Sequence, residues 1–394
     1  MRILFLTQVL PLPLDAGPKV RAYYVLKYLA QAGHEVDLLS FVRPGDSDQY
    51  IQSLSGICHS VQTVRMRRSR FQDLSHGIRS LASRTPFLIL RDQVAEMRDA
   101  VLRAAGNRSM DAIHADQLWM APYGLECPHP KLSVLDQHNA VFVAVRRLAD
   151  QQSNPLAKAL LRREAEKLEA YERASCGRFD QVVWVTGQDQ KAVGSDNGHR
   201  RRECVIPIAI DASARQPWER NGAFRVTFLG GMHWPPNREG VSWFVRDVWP
   251  SVAHAVPNSM LTVIGRKPPG AIEKLGRESR VEITGYVADP EPYLRETAVF
   301  VVPLRAGAGM RVKILDAWCC GLPVVSTSLG AEGIRAVDGE NILLADDARS
   351  FAESVIRVMQ DRTLARRLAA NGRSAAEDSY DWKKVYRAWD EIYH

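Results

Sequence analysis

Short apolar runs alternate with amphipathic stretches along most of the chain. The runs are rich in Val, Ile and Leu and bounded by charge or glycine, as buried parallel strands are. The stretches between them repeat apolar residues every three or four positions, which predicts helices. This alternation favours an α/β fold with parallel sheets. The predicted strands are Arg2–Thr7, 35–42, 111–117, 132–135, 182–186, 225–229, 261–264, 281–284, 299–304 and 324–327.

The stretch from Val299 to Thr327 is the clearest strand, turn, helix, strand unit. Its first apolar run leads into a glycine-rich turn, 306–309, and its short helical pattern is closed by Gly321. In a parallel sheet such a turn lies at the carboxyl edge, where ligands bind. Because free backbone N–H groups meet the positive end of the helix dipole there, the turn favours an anion.

Three charged residues of the following helix add to this pattern. Cations in the first turn of a helix oppose its dipole, so Arg311 and Lys313 predict a phosphate that reverses that cost. Asp316 follows one or two turns later, where a carboxylate can reach the hydroxyls of a ribose on that phosphate. Glycine turns are also common without a ligand, and a basic side chain is often only solvated, so both interpretations stay open.

Composition narrows the class of protein. The chain has 394 residues, 46% of them hydrophobic, which predicts two domains of near-equal size. The net charge of +7 indicates an anionic partner, and a nucleotide sugar, an anionic membrane surface and a nucleic acid all fit it. The six cysteines lack metal-site spacing, and no apolar run is long enough to span a membrane, so a cytoplasmic location is expected.

The sequence AGMRVKILDA, residues 308–317, resembles the form G-x-R-x-K-I-L-E-A. That form marks a branch of the retaining glycosyltransferases of the GT-B fold, family four. The wider family signature is Glu, seven residues, Glu, and here Ala308 and Asp316 stand in the two Glu positions. The resemblance implies that Asp316 holds the donor ribose. It also implies that backbone amides hold the donor diphosphate, namely those of Gly307, Ala308, Gly309 and Met310.

The resemblance also assigns residues in the N-terminal half. Gly17 occupies the place of a family loop that meets the donor phosphate or the acceptor, and Arg21 that of an arginine on the following helix. We assign Gly17 to the donor and Arg21 to the acceptor. Asp111 to Asp116 resembles D-x-x-H-x-H, with His114 for the earlier histidine and Asp116 for the last, which faces the sugar and acceptor. Which of the two meets the substrate is open, and His114 as an ordinary core histidine is an equal alternative.

Other strand ends contribute further candidates. His138 and Asn139 follow a predicted strand and are expected to line the same cleft as His114, on the acceptor side. On the donor side, Gly231 follows the strand 225–229. Asn237 has the residue type of a helix N-cap, and we expect it to begin the next helix. In the family the next two strand ends frame the nucleotide base, which assigns Arg266 and Val287 to the donor.

These expectations combine into one architecture. We expect two Rossmann-like domains facing a cleft, the GT-B fold. The N-terminal domain, residues 1–200, would bind the acceptor, and the second, residues 201–375, the nucleotide sugar. Residues 376–394 would form a helix that crosses back to the first domain.

The expected reaction is transfer of a sugar from a nucleotide diphosphate sugar to an acceptor hydroxyl with retention, in polysaccharide, glycolipid or other glycoconjugate biosynthesis. The catalytic candidates are His114, Asp116, Arg311 and Lys313. No cofactor, metal or nucleic acid is expected, and the acceptor is a sugar, a lipid-linked molecule or another small molecule. A nucleotide-sugar epimerase and a non-catalytic nucleotide-binding partner are the alternatives.

One basic segment bears on location. Between Val64 and Arg91, seven arginines are interleaved with apolar residues. A basic, partly amphipathic helix is typical of contact with an anionic membrane, here at its inner face. An ordinary solvated face is the alternative.

Overall fold

The computed structural model describes residues 1–107, 109–128, 130–194, 202–217, 225–266, 268–275 and 280–394. These residues form two compact units. Unit 1 comprises Met1–Ala209, Ala308–Met310 and Trp382–His394, and unit 2 comprises Ile210–Gly307 and Arg311–Asp381. The domain boundary expected between residues 200 and 201 lies outside the described residues.

Unit 1 is built on a sheet of seven parallel strands in the order β3-β2-β1-β4-β5-β6-β7. The interior strands are buried: all of β4 is buried, as is β1 except for Arg2. The strands predicted at β1 and β2 are confirmed to the residue. The strands are β1 Arg2–Thr7, β2 Glu35–Val42, β3 Ser60–Arg65, β4 Ala112–Asp116, β5 Leu132–Gln137, β6 Gln181–Trp184 and β7 Arg202–Val205.

Helices connect these strands, as parallel pairing requires. They are α1 Gly17–Gln31, α2 Asp48–Ser55, α3 Arg70–Ala82, α4 Phe87–Leu90, α5 Ala95–Asn107, α6 Ala121–Leu125, α7 Val141–Asp150, α8 Pro155–Cys176 and α9 Gly187–Val193. The short 3-10 helix Leu118–Met120 follows β4.

Unit 2 is built on a six-stranded parallel sheet in the order β10-β9-β8-β11-β12-β13. Its strands are β8 Arg225–Leu229, β9 Met260–Ile264, β10 Val281–Gly285, β11 Thr297–Val302, β12 Val324–Ser326 and β13 Leu343–Leu344. Its helices are α10 Pro235–Trp243, α11 Trp249–Ala255, α12 Gly270–Leu275, α13 Glu291–Arg295, α14 Val312–Cys319, α15 Ala348–Gln360 and α16 Arg362–Ser379.

The remaining helical segments are short. A π-helical turn, Phe244–Val248, joins α10 to α11, and a 3-10 turn, Ala212–Ala214, opens unit 2. The chain ends in α17 Trp382–Val385 and the 3-10 helix Tyr386–Glu391. Across the described ranges, no helix combines the length and the apolar character needed to cross a membrane.

Both strand orders reverse direction once, and the reversal positions the sites. The first sheet reverses between β1 and β4, and the second between β8 and β11. In open parallel sheets, ligands bind beyond the carboxyl ends of the two strands at such a switch point. The α/β fold predicted from the hydrophobic pattern is confirmed.

Candidate functional site

The glycine-rich turn that follows β11 lies at the switch point of the six-stranded sheet. β11 ends at Val302, and the chain then passes through Gly307 and Gly309 before α14 begins at Val312. Both glycines have positive φ, 108° and 79°, which a residue with a Cβ adopts only with strain. An added Cβ on Gly307 would lie 2.9 Å from Arg311 Nη2 and from the Trp234 ring. The backbone of this turn therefore requires glycine at residue 307 for space as well as for conformation.

Lys313 projects from α14 over the end of β8, the other strand of the switch point. Its amine donates a hydrogen bond to Asn237 Oδ1 at 3.1 Å and lies 4.5 Å from the centre of the Phe228 ring. An added Cβ on Gly230 would lie 2.5 Å from that amine, so glycine makes room for it. The Lys313 cation is thereby placed at the carboxyl edge of β8.

A second cation lies beside the first. Arg311 is buried, 5% exposed, and its guanidinium carbon lies 5.4 Å from the centre of the Trp234 ring. Loss of water and, to a smaller extent, repulsion from Arg311 lower the pKa of Lys313 to about 7. Two neighbouring cations at a parallel-sheet switch point form a site suited to an anion with more than one negative charge.

Asn237 is held in this cluster, but in a different way from the one predicted. The prediction that it caps a helix is wrong, because α10 begins two residues earlier at Pro235 and Trp234 is its N-cap. Pro lacks an N–H and suits the first helical positions, so the Pro235-Pro236 pair moves the start of the helix forward. The Asn237 amide instead donates to the Gly231 carbonyl at 2.9 Å and accepts from Lys313.

Asp316 lies on α14, about one turn beyond Lys313. Burial raises its pKa, and attraction to Arg215 opposes that rise. The ribose contact expected for Asp316 stays a prediction. Arg266 follows β9, the strand beside β8, and Val287 follows β10 at the edge of the sheet. Arg266 lies over the Tyr286 ring, 4.7 Å from its centre, and Val287 is half-buried.

In unit 1, the carboxyl edge of β5 carries a buried ion pair. Asp136 accepts hydrogen bonds from Arg21 Nε at 2.9 Å and Nη2 at 3.0 Å, and both side chains are fully buried. Burial alone would raise the pKa of Asp136, but the Arg21 charge holds it well below its usual range. Arg21 also donates to the carbonyls of Ile206 and Pro207, at 2.8 Å each. Acceptor binding by Arg21 would therefore require this network to open.

Arg21 and His114 share an aromatic enclosure formed by the end of the chain. The Arg21 guanidinium lies 5.1 Å from the centre of the Trp389 ring and 5.4 Å from that of Tyr386. His114 stacks on Phe5 with 4.0 Å between ring centres. Its Nδ1 is 2.7 Å from the Tyr393 hydroxyl. His114 is thus fully buried, as the core-histidine alternative describes.

Asp116 and His138 form a second pair at the same edge. His138 Nε2 lies 2.8 Å from Asp116 Oδ1, and both side chains are buried. The next residue, Asn139, is half-buried, and Gly17 is the first residue of α1. The structure therefore brings His114, Asp116 and His138 together, as the sequence predicts for neighbouring strand ends.

The same edge contains one possible metal cluster among the described residues. The ligand atoms of His114, Asp116 and Asp136 all lie within 4.8 Å of one another. Asp136 already binds Arg21 through two hydrogen bonds, and Asp116 binds His138. A metal ion would have to displace Arg21 and His138 from these carboxylates. The protein's own side chains therefore already balance the carboxylate charges.

Sequence reasoning did not identify the partners that hold these residues. Asp136 lies two residues before His138, so its position at the strand end was visible, but its pairing with Arg21, 115 residues away, was not. Trp234 beside Arg311 and Tyr393 beside His114 were missed for the same reason. An aromatic residue near a predicted loop gives no signal of the cation that it contacts.

Comparison with known proteins adds the family context. Residues 223–361, which lie in unit 2 apart from Ala308–Met310, match the family model described as "Glycosyl transferases group 1". An uncharacterized 44.6 kDa protein in the cps region of Klebsiella pneumoniae is 22% identical over 98% of both chains. The lipopolysaccharide core biosynthesis glycosyltransferase LpsE of Rhizobium meliloti is 32% identical over 120 residues, 30% of this chain and 35% of LpsE.

A solved structure extends the likeness to the whole fold. HepE of Anabaena, in complex with UDP and glucose, superposes with a TM-score of 0.71 at 16% sequence identity, over 99% of this chain and 98% of HepE. At that identity the likeness concerns the fold, and the fold is GT-B. The group 1 match lies in the C-terminal half of the chain, and the likeness in fold extends over nearly its whole length.

Proposed function

We propose that the protein transfers a sugar from a nucleotide diphosphate sugar to an acceptor hydroxyl, with retention of the anomeric configuration and without a metal. The observation that carries the proposal is the pair Arg311 and Lys313 beside the glycine turn, within the region that matches the group 1 model. The binding of UDP by HepE supports a diphosphate as the anion.

In this proposal the donor diphosphate binds at the unit 2 switch point. The bond between the sugar C1 and the β-phosphate oxygen breaks while C1 bonds to the acceptor oxygen on the same face. The acceptor proton passes to the departing phosphate. Arg311 and Lys313 stabilise the negative charge that develops on that phosphate, which is the task a metal ion performs elsewhere.

The acceptor is assigned to unit 1, where Asp116, His138 and Asn139 lie at the carboxyl edge of the sheet. We place the reaction in polysaccharide or other glycoconjugate biosynthesis, as LpsE's name supports. We further propose that the enzyme is cytoplasmic and peripheral to the inner face of the membrane, where a lipid-linked acceptor would be found.

Release of nucleotide diphosphate tests the reaction. UDP-, GDP- and ADP-sugars are first ranked by thermal shift. The best binder is then incubated with and without sugar and lipid-linked acceptors, in the presence and absence of EDTA. We expect acceptor-dependent release that EDTA does not change, and NMR of the product showing the donor's anomeric configuration.

The alternatives give other results. An epimerase would convert the nucleotide sugar without releasing the nucleotide. A non-catalytic partner would bind the nucleotide and release or convert nothing. Inverted product would retain glycosyl transfer but overturn retention, and loss of activity in EDTA would overturn metal independence.

A further inference from the structure

Helix α3 leaves a row of large apolar side chains in water. Phe71 is 86% exposed, Leu74 64%, Ile78 61% and Leu81 51%. Their spacing of three, four and three residues places them on one face of the helix. Ser80 is the buried residue of this helix, so the apolar face points away from the body of unit 1. An exposed apolar stripe of this kind marks an interaction surface.

Arginines surround this face. Between residues 65 and 84 the chain has six arginines and one acidic residue, Asp73. Arg68 binds the buried Asp92, which Arg91 also approaches at 3.5 Å, so these two arginines are held by the protein. Arginines at five other positions are exposed: Arg65, Arg67, Arg70, Arg79 and Arg84. The structure thus reduces the seven arginines of the sequence pattern to a smaller, outward-facing set.

The carboxyl end of α3 is fastened to unit 1. Arg163 of α8 donates to the Leu81 carbonyl at 2.9 Å, and Lys167 of α8 contacts the Ser80 carbonyl. Cations at the carboxyl end of a helix satisfy its last carbonyls and favour its dipole. The exposed face therefore belongs to an anchored helix.

We propose that this face of α3 is a docking surface for an anionic lipid bilayer. Phe71, Leu74 and Ile78 enter the boundary between headgroups and acyl chains, while the exposed arginines bind the headgroup phosphates. The inference rests on the proposed function for its purpose, since a lipid-linked acceptor is met at that surface. A second copy of the chain fits less well, because a two-fold contact would set the two arginine rims against each other.

Vesicle co-sedimentation of the full-length protein tests the surface without any substrate. Vesicles of phosphatidylcholine with phosphatidylglycerol are compared with vesicles of phosphatidylcholine alone, at low and high salt. We expect binding to the anionic vesicles that falls as salt rises. The double variant L74E/I78E should bind at least about tenfold more weakly, and so should R67Q/R70Q.

Two controls make the result specific. Val337→Glu changes an apolar side chain of unit 2 that is 48% exposed and should bind as the unaltered protein does. Circular dichroism should show that each variant is folded. The proposal is overturned if the unaltered protein does not bind anionic vesicles, or if L74E/I78E binds equally well.

Sedimentation velocity tests whether a second copy of the chain binds this face instead. A dimer that L74E/I78E abolishes, together with no vesicle binding, would assign the face to a second copy of the chain. Nucleotide release with a soluble acceptor is measured in parallel. Release that persists in L74E/I78E while vesicle binding is lost would separate the membrane surface from the glycosyl transfer itself.

Discussion

The two switch points differ in the partners of their buried charged groups. In unit 1, Arg21 is paired with Asp136, and Asp116 with His138, so the buried charges there have partners of opposite sign or N–H donors. In unit 2, the Lys313 amine bonds to the neutral amide of Asn237, and its charged neighbour is another cation, Arg311. At the first site the buried charges are paired, whereas at the second two cations lie side by side.

This difference indicates that the first site contributes to stability and the second to ligand binding. A buried pair such as Arg21 and Asp136 is costly to break, because the remaining charge is left without water or partner. Burial and, to a smaller extent, repulsion from Arg311 lower the pKa of Lys313, so its charged form is unfavourable there until an anion arrives. We therefore expect substitutions at the first site to affect folding and those at the second to affect ligand affinity.

The largest effect is expected from Asp136→Asn. The substitution leaves the Arg21 guanidinium fully buried with its carboxylate partner removed, which should lower the free energy of unfolding by about 3–5 kcal/mol. Urea denaturation measures the loss. The matched control is Asp150→Asn, which breaks an exposed pair with Arg162 and should cost less than about 1 kcal/mol. Equal losses in the two variants would contradict the assignment of Asp136 to structure.

Lys313→Met should show the opposite behaviour. The free protein should be as stable as before or more so, because a poorly solvated cation beside Arg311 is removed. Affinity for a nucleotide diphosphate should fall by about 1.5–3 kcal/mol, the range for a hydrogen bond to a charged group. Calorimetry with the nucleotide diphosphate and its nucleoside measures this, and nucleoside affinity should barely change.

Arg311→Met should weaken the same affinity by a similar amount, for the same reason. Lys274→Met, an exposed lysine of α12, is the control and should change neither quantity. A Lys313 or Arg311 variant that binds the nucleotide diphosphate normally, or loses nucleoside affinity equally, would remove the phosphate site from this pair.

The strands that were predicted correctly from the sequence share a physical property, which is burial. Interior strands such as β1 and β8 are largely buried and rich in apolar residues, so their runs are visible and their bounds were predicted to the residue. The edge strands β3 and β7 expose much of their length and show no such run, so they were missed. Hydrophobic periodicity indicates burial, and neither β3 nor β7 contains a buried residue.

The two sites also differ in how far they could be predicted from the sequence. The glycine turn and its cations lie within one short stretch of sequence, where local rules on helix dipoles apply, and the structure places Arg311 beside Gly307. The partner of Arg21 depends on how distant strands pair, which no local pattern contains. Asn237 was misassigned because its capping propensity was weighed without the stronger effect of the two preceding prolines on where α10 begins.

The pH dependence of donor affinity sharpens the contrast between the sites. Lys313 has a pKa of about 7 in the free protein, and a bound diphosphate should raise it, so binding takes up a proton above that pH. Affinity for a nucleotide diphosphate sugar should be greatest below about pH 7 and fall by at most about tenfold per pH unit above it. The diphosphate group of such a donor does not itself titrate there.

Titration calorimetry in two buffers of different ionisation enthalpy measures the proton uptake directly. Lys313→Met should bind more weakly but with little dependence on pH over the same range. A pH profile that is unchanged in Lys313→Met would assign the titration to another group.

The smallest effect is expected at Asp316, where the two kinds of site overlap. Its carboxylate interacts with Arg215, as a structural pair would, yet it lies one turn from the cations proposed to bind phosphate. Asp316→Asn therefore changes both the pairing with Arg215 and any ribose contact, and a single affinity measurement cannot separate the two effects.

Comparing ribonucleotide with 2′-deoxyribonucleotide in the unaltered protein and in the variant cancels the shared structural effect. If Asp316 binds the ribose, the substitution should cost the ribonucleotide about 1 kcal/mol more than the deoxy form, as measured by calorimetry. Equal losses would make Asp316 the counterion of Arg215 alone.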